Sequence, residues 1–104
     1  GTSIDLSDST YENISIIDAS NGTGRDTFRY TSDTGNVTIS NGDSRDVVDL
    51  SSYSIDEIST EFTDSGLIIS INDSSLNIFG TNMTTFSLAG GRYTADFENQ
   101  TFNS

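Results

Sequence analysis

Short sets of apolar residues spaced two apart recur along this chain, and they constrain its fold more than any other feature. The pairs are Ile4/Leu6, Ile14/Ile16, Phe28/Tyr30, Val37/Ile39, Val48/Leu50, Leu67/Ile69/Ile71 and Leu76/Ile78. A spacing of two places both members on one face of an extended strand. Helical spacing is hard to find. Turn-forming clusters separate the pairs: Ser7-Asp8-Ser9, Asn21-Gly22-Thr23-Gly24, Ser32-Asp33-Thr34-Gly35 and Asn41-Gly42-Asp43-Ser44. Asn, Gly, Asp and Ser each favour chain reversal, through positive φ or through side-chain bonds to nearby backbone.

The distances between pairs carry a second message. Ile4 to Phe28, Phe28 to Val48 and Ile14 to Val37 are similar steps. They predict short strands stacked in two parallel columns, one pair of strands per coil. No such coil can bury its apolar face alone, so neighbours must stack. Past residue 65 the rhythm changes. Leu67–Ile71 and Leu76–Phe79 flank Asn72-Asp73-Ser74-Ser75, which predicts an antiparallel hairpin with a four-residue loop. Such a hairpin would cover the open strand edge of the stack. Ser54-Ile55-Asp56-Glu57 predicts one helical turn with a capping box. The expectation is one all-β domain over residues 1–104: a short parallel β-roll or β-solenoid over 1–58, then a hairpin and C-terminal cap over 59–104. The chain does not start with Met, and it reads as a piece of a larger protein.

Composition narrows the function. Sixteen Asp and Glu stand against four Arg, a net charge of −12, with no Cys, His, Pro or Trp. Thiolate and imidazole metal ligation are excluded. So is catalysis by His, Cys or Lys, and a basic nucleic-acid footprint is absent. No apolar run is long enough for a helix to span a bilayer. The expectation is therefore no enzyme, no nucleic-acid partner and no membrane span. Self-repulsion at this charge opposes compaction. A divalent cation would offset it, and carboxylate and carbonyl oxygens suit Ca2+. High salt would also offset it by screening, giving a metal-free, salt-adapted β domain.

One internal repeat bears on that choice. Asn21-Gly22-Thr23-Gly24-Arg25-Asp26-Thr27-Phe28 aligns with Asn41-Gly42-Asp43-Ser44-Arg45-Asp46-Val47-Val48. Stacking would bring Asp26 and Asp46 to one edge, about one strand spacing (~4.8 Å) apart. With carbonyls of the turns at Asn21, Gly22, Gly24, Asn41 and Gly42, and with Asp43, they would form an oxygen-only calcium site. The alternative is that both are ordinary Asn-Gly turns whose Asp side chains cap backbone N–H groups.

The pattern resembles the nonapeptide G-G-x-G-x-D-x-U-x of the repeats-in-toxin (RTX) calcium-binding β-roll family. Asp26 and Asp46 fall on its Asp, Gly22, Gly24 and Gly42 on its glycines, Phe28 and Val48 on its apolar position. The stretches Asp49–Tyr53 and Gly66–Ile71 resemble the segment that follows such repeats. Asn stands in place of the first Gly in both matches, Ser44 in place of another, and the offset exceeds that of two nonamers. The resemblance implies a secreted, extracellular bacterial module, kept loose in a low-calcium cytoplasm, exported by type I secretion and folded on binding Ca2+. One site at a hundredfold excess of calcium would add about 2.7 kcal/mol. The alternative function is an adhesin, surface-layer or polysaccharide-binding module, with a cell-surface glycan as partner. Tyr11, Tyr30, Tyr53 and Tyr93 would then form a stacking platform, or else serve as partly buried edge aromatics. Arg25 and Arg45 would grip an anionic polymer or offset the neighbouring Asp residues.

Overall fold

The computed structural model describes residues 1–6, 16–19 and 24–104. Ile14, Tyr11 and the turns at 7–9 and 21–23 lie outside the described residues. The chain is all-β, as the alternation predicts, and forms two mixed sheets.

The first sheet contains β1 (Ser3–Asp5), β3 (Thr27–Arg29), β5 (Val47–Leu50), β9 (Thr85–Leu88), β10 (Gly91–Asp96) and β11 (Thr101–Asn103), in that spatial order. Its first four strands pair in parallel, and the last three are antiparallel. Ile4 lies opposite Phe28, Phe28 opposite Val48, and Val48 opposite Phe86. The first two steps are the ones read from the spacing. The second sheet runs β2 (Ile16–Asp18), β4 (Val37–Ser40), β8 (Ser74–Phe79), β7 (Gly66–Ile71), β6 (Ser59–Thr63). Here β2, β4 and β8 pair in parallel, while β8, β7 and β6 are antiparallel.

The alternating apolar residues from both sheets form one core. Phe28, Tyr30, Val48, Leu50 and Phe86 come from the first sheet or its strand ends, and Val37, Ile39, Leu67, Ile69, Leu76 and Ile78 from the second. The aromatic tail extends it: Phe86 meets Phe102 edge-on at 5.2 Å, and Tyr93 stacks on Phe102 at 5.5 Å.

Three expectations need correction. In β2 the register places Ile17, not Ile16, opposite Ile39, and Ile17 and Ala19 pack on the core. Adjacent isoleucines permit either phase, and a slip of one residue exchanges the two faces of a strand. The hairpin loop holds two residues, not four: Ile71 pairs with Ser74, leaving only Asn72 and Asp73 between them. Asn72 takes the positive φ (54°) that such a tight turn needs. Ser74 and Ser75 belong to the strand because each has an external anchor. Ser74 Oγ donates to the Ser32 carbonyl at 2.9 Å, and the Ser75 N–H donates to Asn36 Oδ1 at 3.0 Å.

The third correction concerns the boundary expected at residue 58. Parallel pairing continues beyond it, because β8 adds to β4 and β9 adds to β5. The hairpin covers the edge of β4, as expected, but does so by extending the sheet. The Ser54 turn is a single 3-10 turn over Ile55–Glu57. The Glu57 carboxylate accepts the Ser54 N–H at 2.9 Å, as a capping box requires.

Tyr30 joins the two sheets. It is fully buried, and its hydroxyl donates to the Gly35 carbonyl. Burial pushes its phenol up to about 12; Ser74 pulls it down and nearby Tyr53 pushes it further up. An unfolded tyrosine titrates near 10, so the folded value is the raised one. The stability this contributes is intact below about pH 10 and is lost as pH rises toward 12. The loss reaches roughly 2–3 kcal/mol above that. Alkaline titration followed by phenolate absorbance and circular dichroism should show Tyr30 ionising only as the sheets come apart. A Tyr30 phenolate, identified as the signal missing from Tyr30→Phe, appearing near pH 10 in a folded chain would contradict this.

Candidate functional site: the repeat aspartates before β3 and β5

The repeat aspartates lie where the coil argument puts them. Each immediately precedes a strand of the first sheet, and the parallel pairing of β3 with β5 aligns Asp26 with Asp46 on one edge. They are also the buried charged residues among those described, 5% exposed for Asp26 and 1% for Asp46.

Three of their oxygens are engaged by backbone. Asp26 Oδ1 accepts the Thr2 N–H at 3.0 Å. Asp46 Oδ1 accepts the Asp26 N–H at 3.0 Å, and its Oδ2 accepts the Asp43 N–H at 2.9 Å. Main-chain bonds run alongside, from Thr27 N–H to the Thr2 carbonyl and from Val47 N–H to the Asp26 carbonyl, both 2.8 Å. Each aspartate thus caps an N–H that the strand ladder leaves over just before the neighbouring parallel strand. Asp46 also closes its own turn, since its N–H donates to the Asp43 carbonyl at 3.1 Å. A buried N–H without a partner is costly, and a charged acceptor makes a strong hydrogen bond to it.

The remaining candidates do not converge on these two. The Asp43 carboxylate turns outward and binds Arg45, through the backbone N–H at 2.9 Å and the guanidinium at 3.3 Å. Those Arg45 contacts, the backbone one foremost, hold it below the usual carboxylate range. Arg45 therefore offsets a neighbouring Asp. The Asn41 side-chain amide donates to Asp18 at 3.0 Å, and Asn41 supplies the positive φ of its turn (62°). Gly42 gives its missing side-chain space to an apolar group: a Cβ there would lie 2.8 Å from Met83 Cε. Gly24 has a positive φ (108°). Asn21 and Gly22 lie outside the described residues.

Calcium needs six to eight oxygens around one point. Each Asp46 oxygen accepts an N–H, the Asp43 carboxylate is held by Arg45, and the Met83 thioether lies on the side-chain side of Gly42. The described residues of the two turns do not fit a calcium cage between Asp26 and Asp46. Among the described residues, no group of three or more acidic side chains is clustered for metal binding.

Two functional positions escaped the sequence reading. Thr2 stands to Asp26 as Asp26 stands to Asp46, and the step from Ile4 to Phe28, carried back two residues, would have found it. Arg29 is the other. Its guanidinium reaches Asp5 at 3.3 Å and Ser52 at 3.0 Å, and the register sets it between Asp5 and Asp49. Charges therefore alternate across three parallel strands on the outer face of the sheet, where like charges in line would destabilise it.

The described tyrosines, Tyr30, Tyr53 and Tyr93, serve the fold. The Tyr53 hydroxyl accepts the Ser32 N–H at 2.8 Å and donates to Ser32 Oγ at 3.2 Å. Tyr30 is buried, and Tyr93 is stacked on Phe102. Compared with protein-family models, curated proteins and solved structures, the chain matches none. Among the described residues, no helix is long and apolar enough to cross a membrane.

Proposed function

We propose that the chain is a structural, non-enzymatic module of an exported protein, built as a short β-roll. In this reading the parallel strands are successive coils, and the antiparallel strands at one end of each sheet close the stack. The observation that carries it is the column Ile4–Phe28–Val48–Phe86, whose members pair in parallel across four strands. The capped N–H groups at Thr2 and Asp26 support it, because they repeat with the same column. Extracellular placement rests on the RTX resemblance and on an acidic chain without cysteine. The groups that would serve a glycan site, Tyr30, Tyr53 and Tyr93, are engaged within the fold, so no observation favours the adhesin alternative.

The chain lacks cysteine, so an engineered pair tests the coil arrangement cleanly. Thr38 of β4 lies opposite Asn77 of β8 in parallel register, and Asn77 lies opposite Ile68 of β7. Neighbouring strands fall within disulfide reach, whereas strands two apart do not. T38C/N77C should oxidise to near completion and T38C/I68C should not. The reverse result would sink the roll. A glycan-binding screen with and without EGTA should be blank in both arms; binding in either would favour the adhesin reading.

A further inference from the structure

We infer that the step between the repeat coils is held by the aspartates themselves, as a metal-independent ladder of carboxylate-to-backbone hydrogen bonds. The inference rests on the β-roll reading, and it departs from what the RTX resemblance implies for these positions. In the resemblance, an ion joins one turn to the next. Here a carboxylate of each coil reaches directly to the N–H of the coil before it: Asp46 to Asp26, Asp26 to Thr2. The link has a direction, from later coil to earlier. It also has a tie to its own turn, because Asp46 Oδ2 takes the Asp43 N–H.

Three observations favour N–H donors over a cation at this edge. Both oxygens of Asp46 are committed to N–H groups within hydrogen-bond distance, and the residue is 1% exposed. The third candidate carboxylate, Asp43, is drawn outward by Arg45. The glycine of the later turn has Met83 against its side-chain side, where a Cβ would lie 2.8 Å from Met83 Cε, so that side of the turn is lined by carbon and sulfur rather than oxygen. The same position on the first coil is Thr2, whose own N–H is the group capped.

Melting the intact chain in EGTA and in millimolar Ca2+, at matched ionic strength, tests this with three variants. Asp46→Ala leaves the Asp26 and Asp43 N–H groups without acceptors. It should lower the melting temperature by about 8 °C or more in both buffers. Asp46→Asn should lose a similar amount, because its amide N–H2 confronts one of two N–H donors. Asp26→Asn keeps an oxygen facing the Thr2 N–H and should melt within a few degrees of the parent. That variant remains informative if the Asp46 variants fail to fold, because a calcium ligand would not survive loss of its charge unchanged. A calcium-induced rise in melting temperature that Asp26→Asn or Asp46→Ala abolishes would overturn the inference. So would an Asp46→Ala variant as stable as the parent. No calcium response, or one that persists in all three variants, upholds it, the latter putting the ion elsewhere. Failure of the roll reading would show separately, as a missing T38C/N77C disulfide.

Discussion

Replacing Phe28 with Ala should cost about 3–5 kcal/mol, the usual toll for emptying a buried aromatic site. Phe28 is 1% exposed and lies between Ile4 and Val48 in the central column. Neither neighbour can fill the space without leaving its own strand register. A domain of this size holds only ~5–15 kcal/mol in total, so the variant should melt roughly 15–30 °C lower. Phe79→Ala provides the comparison. Phe79 falls one residue out of phase with buried Leu76 and Ile78 in β8 and is 48% exposed, and its loss should fall within about 0.5 kcal/mol. Denaturant midpoints of the two variants should differ widely. Equal, small effects would mean that the column is not the core.

Gly66→Ala should be nearly as damaging, for a different reason. Gly66 begins β7, between β6 and β8, and pairs with Thr63 on one side and Phe79 on the other. A Cβ there would lie 2.0 Å from the Ile78 carbonyl oxygen and 2.8 Å from that of Gly80. Those are backbone atoms of a paired strand and cannot swing aside. The φ of 150° adds strain for any L side chain. Relief requires opening the start of β7 from β8, and the cost should be about 3–4 kcal/mol. Gly80 separates the two causes. It also has a positive φ (111°), but a Cβ there meets nothing within 4 Å. Gly80→Ala should therefore cost only its conformational share, about 1–2 kcal/mol. Urea titration of both variants checks the difference, and a Gly66→Ala chain no weaker than Gly80→Ala would remove close approach as the reason for this glycine.

Much of the first sheet was legible because its signals agree. In β3 and β5, alternation, turn chemistry and the repeat offset all specify the same register, and the structure has it. Where only one signal spoke, the reading slipped. Ile16 and Ile17 give alternation no phase, so β2 took its register from Ala19 and from pairing with β4. Ser74 and Ser75 look like loop residues, and only their bonds to Ser32 and Asn36, about forty positions upstream, make them strand. β6 carries Glu61 and two exposed polar neighbours; it is an edge strand, and edge strands carry little hydrophobic pattern.

At the repeat turns the sequence located the aspartates but left their role open between cation ligand and backbone cap. Residue type cannot distinguish the two, because a carboxylate suits a calcium ion and an N–H equally well. What distinguishes them is where Asp43 points and what fills the space at Gly42. Those depend on Arg45 and Met83, and Met83 arrives from a strand connection about forty residues away.

The most direct measurement of the stacked-coil account is a backbone NOESY on labelled protein. Cross-peaks should connect Thr27–Arg29 with Val47–Asp49, and Val47–Asp49 with Thr85–Ser87, in parallel register. Cross-peaks pairing Thr27–Arg29 instead with Val37–Ser40 in antiparallel register would make the repeat a simple hairpin and contradict the account.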